Sequence, residues 1–167
     1  LYIQGGLGAG KSSVILNDVP LITEALNPGD VETFYVGPHD SQCNNFVETL
    51  GVAPEQTILL DDLCEKILPG YKDLEESKKG HADQIDTPSI DTKADILFKT
   101  AKKRKILVID EITFATERQL QILTEWVQRN NIVIIAAGDR KQNGAKNDRG
   151  VSTGIEDCVF ITGPELT

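Results

Sequence analysis

The sequence predicts an α/β fold: a mostly parallel sheet with helices on both faces. Three observations carry this. Strand-like and helix-like segments alternate along the chain. The runs ILVI at 106–109 and IVIIAA at 132–137 are continuously apolar, as strands buried on both faces are. The opening apolar run, residues 1–3, feeds directly into GGLGAGKS at 5–12. That stretch has the phosphate-loop spacing of Gly, four residues, Gly-Lys-Ser, in the strand–loop–helix context its mechanism needs.

Each residue type in the loop answers to a physical demand. Gly6, Gly8 and Gly10, with the small Ala9, let backbone N–H groups turn inward and let phosphate oxygens approach without meeting a bulky side chain. A helix starting at Lys11 adds unpaired N–H groups, Ser13 among them, and the positive end of its dipole. Lys11 is then the point charge for the β- and γ-phosphates, and the Ser12 hydroxyl is a ligand for Mg²⁺.

Composition bounds the class. A chain of 167 residues is about one domain long, and 40% hydrophobic with 26% charged residues is globular. No apolar run approaches the roughly 20 residues that span a bilayer, so no membrane association is expected. Cys43, Cys64 and Cys158 are scattered and odd in number, and His39 and His81 complete no metal-ligand spacing. Reduced structural thiols in a cytoplasmic protein follow from that pattern. The net charge of −9 does not argue for a nucleic-acid backbone as ligand, whereas a nucleotide site needs only local positive potential. The chain opens on Leu1 inside an expected strand and contains no Met, which reads as a piece of a longer protein.

Taken in order, residues 1–4 form a buried strand and 11–17 a helix that Pro20 breaks, with a second helical piece to Leu26. The β-branched and aromatic VETFYV at 31–36 is the second strand, followed by a helix over 41–50 that Gly51 stops. A short strand at 57–60 and a helix at 61–68 come next. Residues 69–88 hold almost no apolar residues and read as a solvated, mobile excursion, with the reduced remnant of an inserted subdomain as the alternative. Helical spacing returns over 91–103 through Ala94, Leu97, Phe98 and Ala101, with the basic KKRK run at its end. Residues 105–111 are a central strand and 117–129 a crossover helix. A further strand at 132–137 leads into GDRKQ, and a last strand lies at 159–162.

Ligands of such sheets bind beyond the carboxyl ends of the strands. Asp110 marks the tip of its strand as the acidic partner of phosphate-bound Mg²⁺. Glu111, one residue on, is placed to orient or deprotonate a water attacking the γ-phosphate. The Gln142 amide can donate to a γ-phosphate oxygen and accept from that water, with Asp139 fixing its geometry from behind. Transfer to water needs positioning and charge neutralisation rather than a covalent nucleophile.

GGLGAGKS, VGPHDSQ after the second strand, Thr57 in QTILLDDL, VIDEITFATE and AAGDRKQ occur in one order. In that order and spacing the chain resembles the first RecA-like P-loop motor domain of superfamily 1 helicases, with the closest look to the RecD/TraA-like and viral branches. The resemblance covers nearly the whole chain outside 69–88. It implies a single RecA-like domain over 1–167, a fragment of a longer helicase that binds and hydrolyses ATP with Mg²⁺. Lys11 and Ser12 match the Walker A pair, Asp110 and Glu111 the Walker B pair, and Gln142 the motif that senses the γ-phosphate. Pro38, His39 and Ser41 match the segment that touches single-stranded nucleic acid, read as DNA, and Thr57 a further backbone contact.

Gly37-Pro38-His39 stands where the family usually has Ala-Pro-Thr or Ala-Pro-Ser, and Asn143 where a Leu often follows the Gln. The second RecA-like domain that would supply an arginine finger is not in the sequence. Its absence costs about 10³ to 10⁵ in rate in related systems, so the resemblance implies slow turnover for this chain alone. Two other readings stay open: a P-loop kinase resembling thymidine kinase, and a nucleotide-dependent binding module without turnover.

Overall fold

Six strands form one sheet among the residues that the computed structural model describes, which are 2–5, 18, 21, 25, 29–78, 94–100, 102–138 and 162–166. They are β1 (Tyr2–Gly5), β2 (Val31–Gly37), β3 (Thr57–Leu59), β4 (Arg104–Ile109), β5 (Val133–Gly138) and β6 (Thr162–Leu166). The order across the sheet is β3-β2-β4-β5-β1-β6, and every neighbouring pair is parallel.

The central strands are apolar throughout because both of their faces are covered. Phe34 and Val36 of β2, Leu107 and Ile109 of β4, and Ile134 and Ala136 of β5 face one core. Tyr35, Ile106, Val108, Ile135 and Ala137, the alternate residues, face another. The first core is covered by α2 (Leu60–Ile67) through Leu63, Cys64 and Ile67, and by α4 (Glu117–Asn130) through Leu120, Leu123 and Trp126. Phe98 fills it further, edge-on to Phe34 and stacked on Trp126. The second core is covered by α1 (Asp40–Leu50), which buries Phe46 against Tyr35. Helices therefore lie on both faces, as the apolar runs predict.

Local chemistry sets the helix ends. Gly51 stops α1 with φ of 68°. Thr116 opens α4 with a capping box: its Oγ1 accepts from the Gln119 N–H, and its own N–H donates to Gln119 Oε1. Such a cap is worth about 1 kcal/mol.

Two stretches differ from the sequence reading. Residues 69–88 begin with a helix, α3 (Tyr71–Lys78), in place of a mobile excursion; 79–93 lie outside the described residues. Tyr71 is buried in the main core, and both Glu65 carboxylate oxygens accept backbone N–H groups, from Gly70 and Lys72, where the helix begins. Of the helix expected over 91–103, the described residues 94–100, 102 and 103 hold a single helical turn, the 3-10 turn Ala94–Ile96. Beyond it the Glu32 carboxylate takes the N–H groups of Lys99 and Thr100 at 2.9 and 3.0 Å, so those two amides do not extend a helix. Of the strand expected at 159–162, residues 159–161 lie outside the described residues; the last described strand runs over Thr162–Leu166. Pro164 interrupts it where a register shift separates the pairs Tyr2–Thr162 and Gln4–Glu165; an edge strand tolerates the missing donor. The helix expected over 11–17 lies outside the described residues.

Candidate functional site

The sheet order puts the three strands that lead to the expected site side by side, with β5 between β4 and β1. Ile109 pairs with Ala136, and Ala137 with Ile3, so Asp110 stands level with Ile3, two residues below the end of β1 at Gly5. At about 4.8 Å per strand, the β4 and β1 tips are roughly 10 Å apart. Gly6, Gly8, Ala9, Gly10, Lys11, Ser12 and Ser13 follow β1, and Asp139 and Gln142 follow β5. All nine lie outside the described residues.

Asp110 leaves the sheet at the tip of β4. Its N–H still donates to the Val36 carbonyl at 3.2 Å, and it is only 6% exposed. Its Oδ1 accepts the Glu111 N–H at 2.9 Å. Glu111 takes φ 53° and ψ 41°, the left-handed region, which costs a non-glycine residue about 1–3 kcal/mol. That conformation turns the chain into a 3-10 turn, Ile112–Phe114, whose Phe114 N–H donates back to the Glu111 carbonyl at 3.0 Å. Burial of Ile112, Thr113 and Ala115 nails the turn down, leaving the half-buried Glu111 and the exposed Phe114 facing outward.

The same turn is locked to β5. A Cβ added at Gly138 would sit 2.9 Å from Thr113 Cγ2 and 3.4 Å from its N, so only glycine lets the β5 exit pack this closely on the Asp110–Glu111 turn. Thr113 Oγ1 is buried beside it with no hydrogen-bond partner among the described residues.

The residues matched to nucleic-acid contacts divide. Pro38, His39 and Ser41 lie together where β2 leaves the sheet, next to the β4 tip. His39 occupies the N-cap position of α1 without a side-chain cap hydrogen bond, and Ser41 is exposed. Thr57 is not with them. It pairs with Tyr35, two residues short of Gly37, and its hydroxyl donates to the Pro54 carbonyl at 2.8 Å. The basic run at 102–105 lies at the opposite end of the sheet, where β4 begins.

Two features escape the sequence reading. Phe114, 43% exposed, meets the His39 ring edge-to-face at a centroid distance of 5.4 Å. Behind it, Gln119 Nε2 donates to Asp61 Oδ1 at 2.6 Å, tying α4 to α2. Burial pushes the Tyr71 hydroxyl and the Cys64 thiol well above their ordinary ranges, so both stay neutral. The Thr-x-x-Gln spacing at 116–119 is a readable capping signal; nothing in sequence points to the exposure of Phe114.

The buried Asp110 carboxylate at a strand tip is a hard oxygen donor, the kind of ligand that a hard cation takes. No helix among the described residues is long and apolar enough to cross a membrane.

No curated protein matches the chain. Among solved structures it is similar to the Pif1 helicase from Candida albicans, at 20% identity and a TM-score of 0.57 over 99% of this chain. The chain spans 35% of that structure's length, and the likeness is one of fold: the α/β architecture of a helicase RecA-like domain. A family model described as an AAA domain matches residues 1–157, and the chain belongs to that family.

Proposed function

We propose that this chain is the ATP-binding motor domain of an ATP-dependent nucleic-acid helicase or translocase, of the RecD/TraA-like or viral branch of superfamily 1. The observation that carries the reading is the adjacency of β4, β5 and β1, with a buried Asp110 at one tip and a glycine-only contact at the next. Membership of the AAA-domain family and the fold shared with a helicase support it.

In this reading Gly6, Gly8, Ala9, Gly10 and Ser13 cradle the phosphates with backbone N–H groups, and Lys11 neutralises the β- and γ-oxygens. Ser12 and Asp110 hold Mg²⁺, which when bound offsets the charge that develops on the phosphates. Glu111 takes or orients the proton of the attacking water. Its left-handed backbone, held by the buried turn behind it, fixes where that carboxylate can reach. Gln142 bridges water and γ-phosphate, and Asp139 supports it. Pro38, His39 and Ser41 meet the nucleic-acid strand. A second RecA-like domain completes the site with an arginine finger, so this chain alone turns over slowly.

The test is MgATP binding and turnover by the wild type, Lys11→Ala and Glu111→Gln. Loss of binding in the first variant, and retained binding with lost turnover in the second, is the expected pattern. Equal ATP affinity in wild type and Lys11→Ala refutes the assignment. A phosphorylated product formed from an added nucleoside replaces it with a kinase.

A further inference from the structure

Phe114 is the only large apolar side chain that the described part of the strand-end rim leaves exposed. Of the other two in the described residues, Val133 opens β5 at the far end of the sheet, and Leu21 is a helical residue whose chain neighbours lie outside the described residues. Its neighbours in the turn, Thr113 and Ala115, are buried, so exposure belongs to this one position. The ring meets His39 at 71° between planes, and the pair lines a groove of about 460 Å³ together with Tyr71, Lys72, Glu75 and Glu76.

We propose that the Phe114 ring, flanked by His39, is a stacking platform for one unpaired base of a single-stranded nucleic acid, a role that rests on the helicase reading above. Three features select this occupant. An exposed ring held by an edge-to-face neighbour is already ordered, so stacking a planar base on it costs little side-chain entropy. The groove's carboxylates, Asp61, Glu75 and Glu76, outnumber its lysine, Lys72, which is paired with Asp62, so the groove disfavours phosphates but not the π-face of a base; the base enters the groove while the sugar-phosphate chain stays on the side of His39 and Ser41. Finally, the platform is one 3-10 turn from Glu111, joined to it by the Phe114 N–H bond to the Glu111 carbonyl.

The experiment uses the full chain with Mg²⁺, a non-hydrolysable ATP analogue and a single-stranded oligonucleotide carrying the fluorescent base 2-aminopurine. Wild type is expected to bind with quenching of that base. Phe114→Ala and Phe114→Leu are expected to bind about 5- to 150-fold more weakly and without quenching, while Phe114→Trp restores both. ATP-analogue affinity, measured in parallel, is expected to stay within twofold. Wild-type affinity and quenching in Phe114→Leu overturn the platform, because bulk without a π-system then suffices. A loss confined to ATP-analogue binding overturns it in favour of the nucleotide's own base. Failure of the wild type to bind any oligonucleotide overturns the nucleic-acid reading itself.

Discussion

Strands β2 and β4 are hydrogen-bonded neighbours that leave the sheet at the same level, yet they leave it in opposite ways. The β2 exit is Gly37-Pro38-His39: free of carboxylates, extended in backbone at His39, and open to solvent at its end. The β4 exit buries a carboxylate at Asp110 and holds Glu111 in a strained left-handed conformation. Strain and buried charge persist only where surrounding packing imposes them, and both are concentrated at one exit. One rim thus carries two separable devices, a rigid acidic corner for phosphate chemistry and a relaxed exposed corner for a partner, with Phe114 reaching from the first to the second.

Breaking the acidic corner is expected to have the largest effect. Glu111→Gln keeps the shape of the turn but loses the proton acceptor, so turnover is expected to fall about 10²- to 10⁴-fold with little change in nucleotide affinity; single-turnover hydrolysis measures it. The two glycines sharpen the comparison. Gly138→Ala drives a Cβ into Thr113, and Gly37→Ala drives one to 2.8 Å from Gln42 Cβ on α1. Each is expected to cost about 1–3 kcal/mol in denaturant unfolding. The functional losses should separate: nucleotide binding for Gly138→Ala, oligonucleotide binding for Gly37→Ala.

Glu111→Gly is expected to stabilise the fold by about 1 kcal/mol while abolishing turnover, since glycine relieves the left-handed strain. A variant with no gain in thermal stability would mean that the turn stores none. The smallest effect lies away from the rim, at Glu65. Backbone N–H groups of Lys72 and Gly70 hold its carboxyl below the usual carboxylate range. Its folded pKa is the lower one, so the stabilisation is present above the ordinary carboxylate pKa and disappears as pH falls through the lowered value. Wild type and Glu65→Gln should therefore differ in melting temperature at neutral pH and converge in acid.

How much of this was legible depends on the range of the interaction involved. ILVI, IVIIAA and the stop at Gly51 are local patterns, and the strands and helix end fall where those patterns place them. Asp110 was readable as a strand tip because a run that apolar excludes charge from its interior. The fate of 94–100 was not, because its amides are taken by Glu32, more than sixty residues earlier in the chain. Helix α3 was hidden since Tyr71 and Leu74 alone carry its apolar face, too few for a periodicity to stand out. The outward turn of Phe114 depends on a single 3-10 turn, which has no sequence period at all. The phosphate loop and the GDRKQ stretch remain readings of sequence, tied to the fold through the strands that deliver them.

The most direct test of a single triphosphate site is a structure with Mg²⁺ and a non-hydrolysable ATP analogue. The account predicts the phosphates across the ends of β1 and β5, with the cation between Ser12 and Asp110 and the Gln142 amide facing the γ-phosphate. A nucleotide bound at another edge of the sheet, or Lys11 and Gln142 on opposite sides of the molecule, would contradict it.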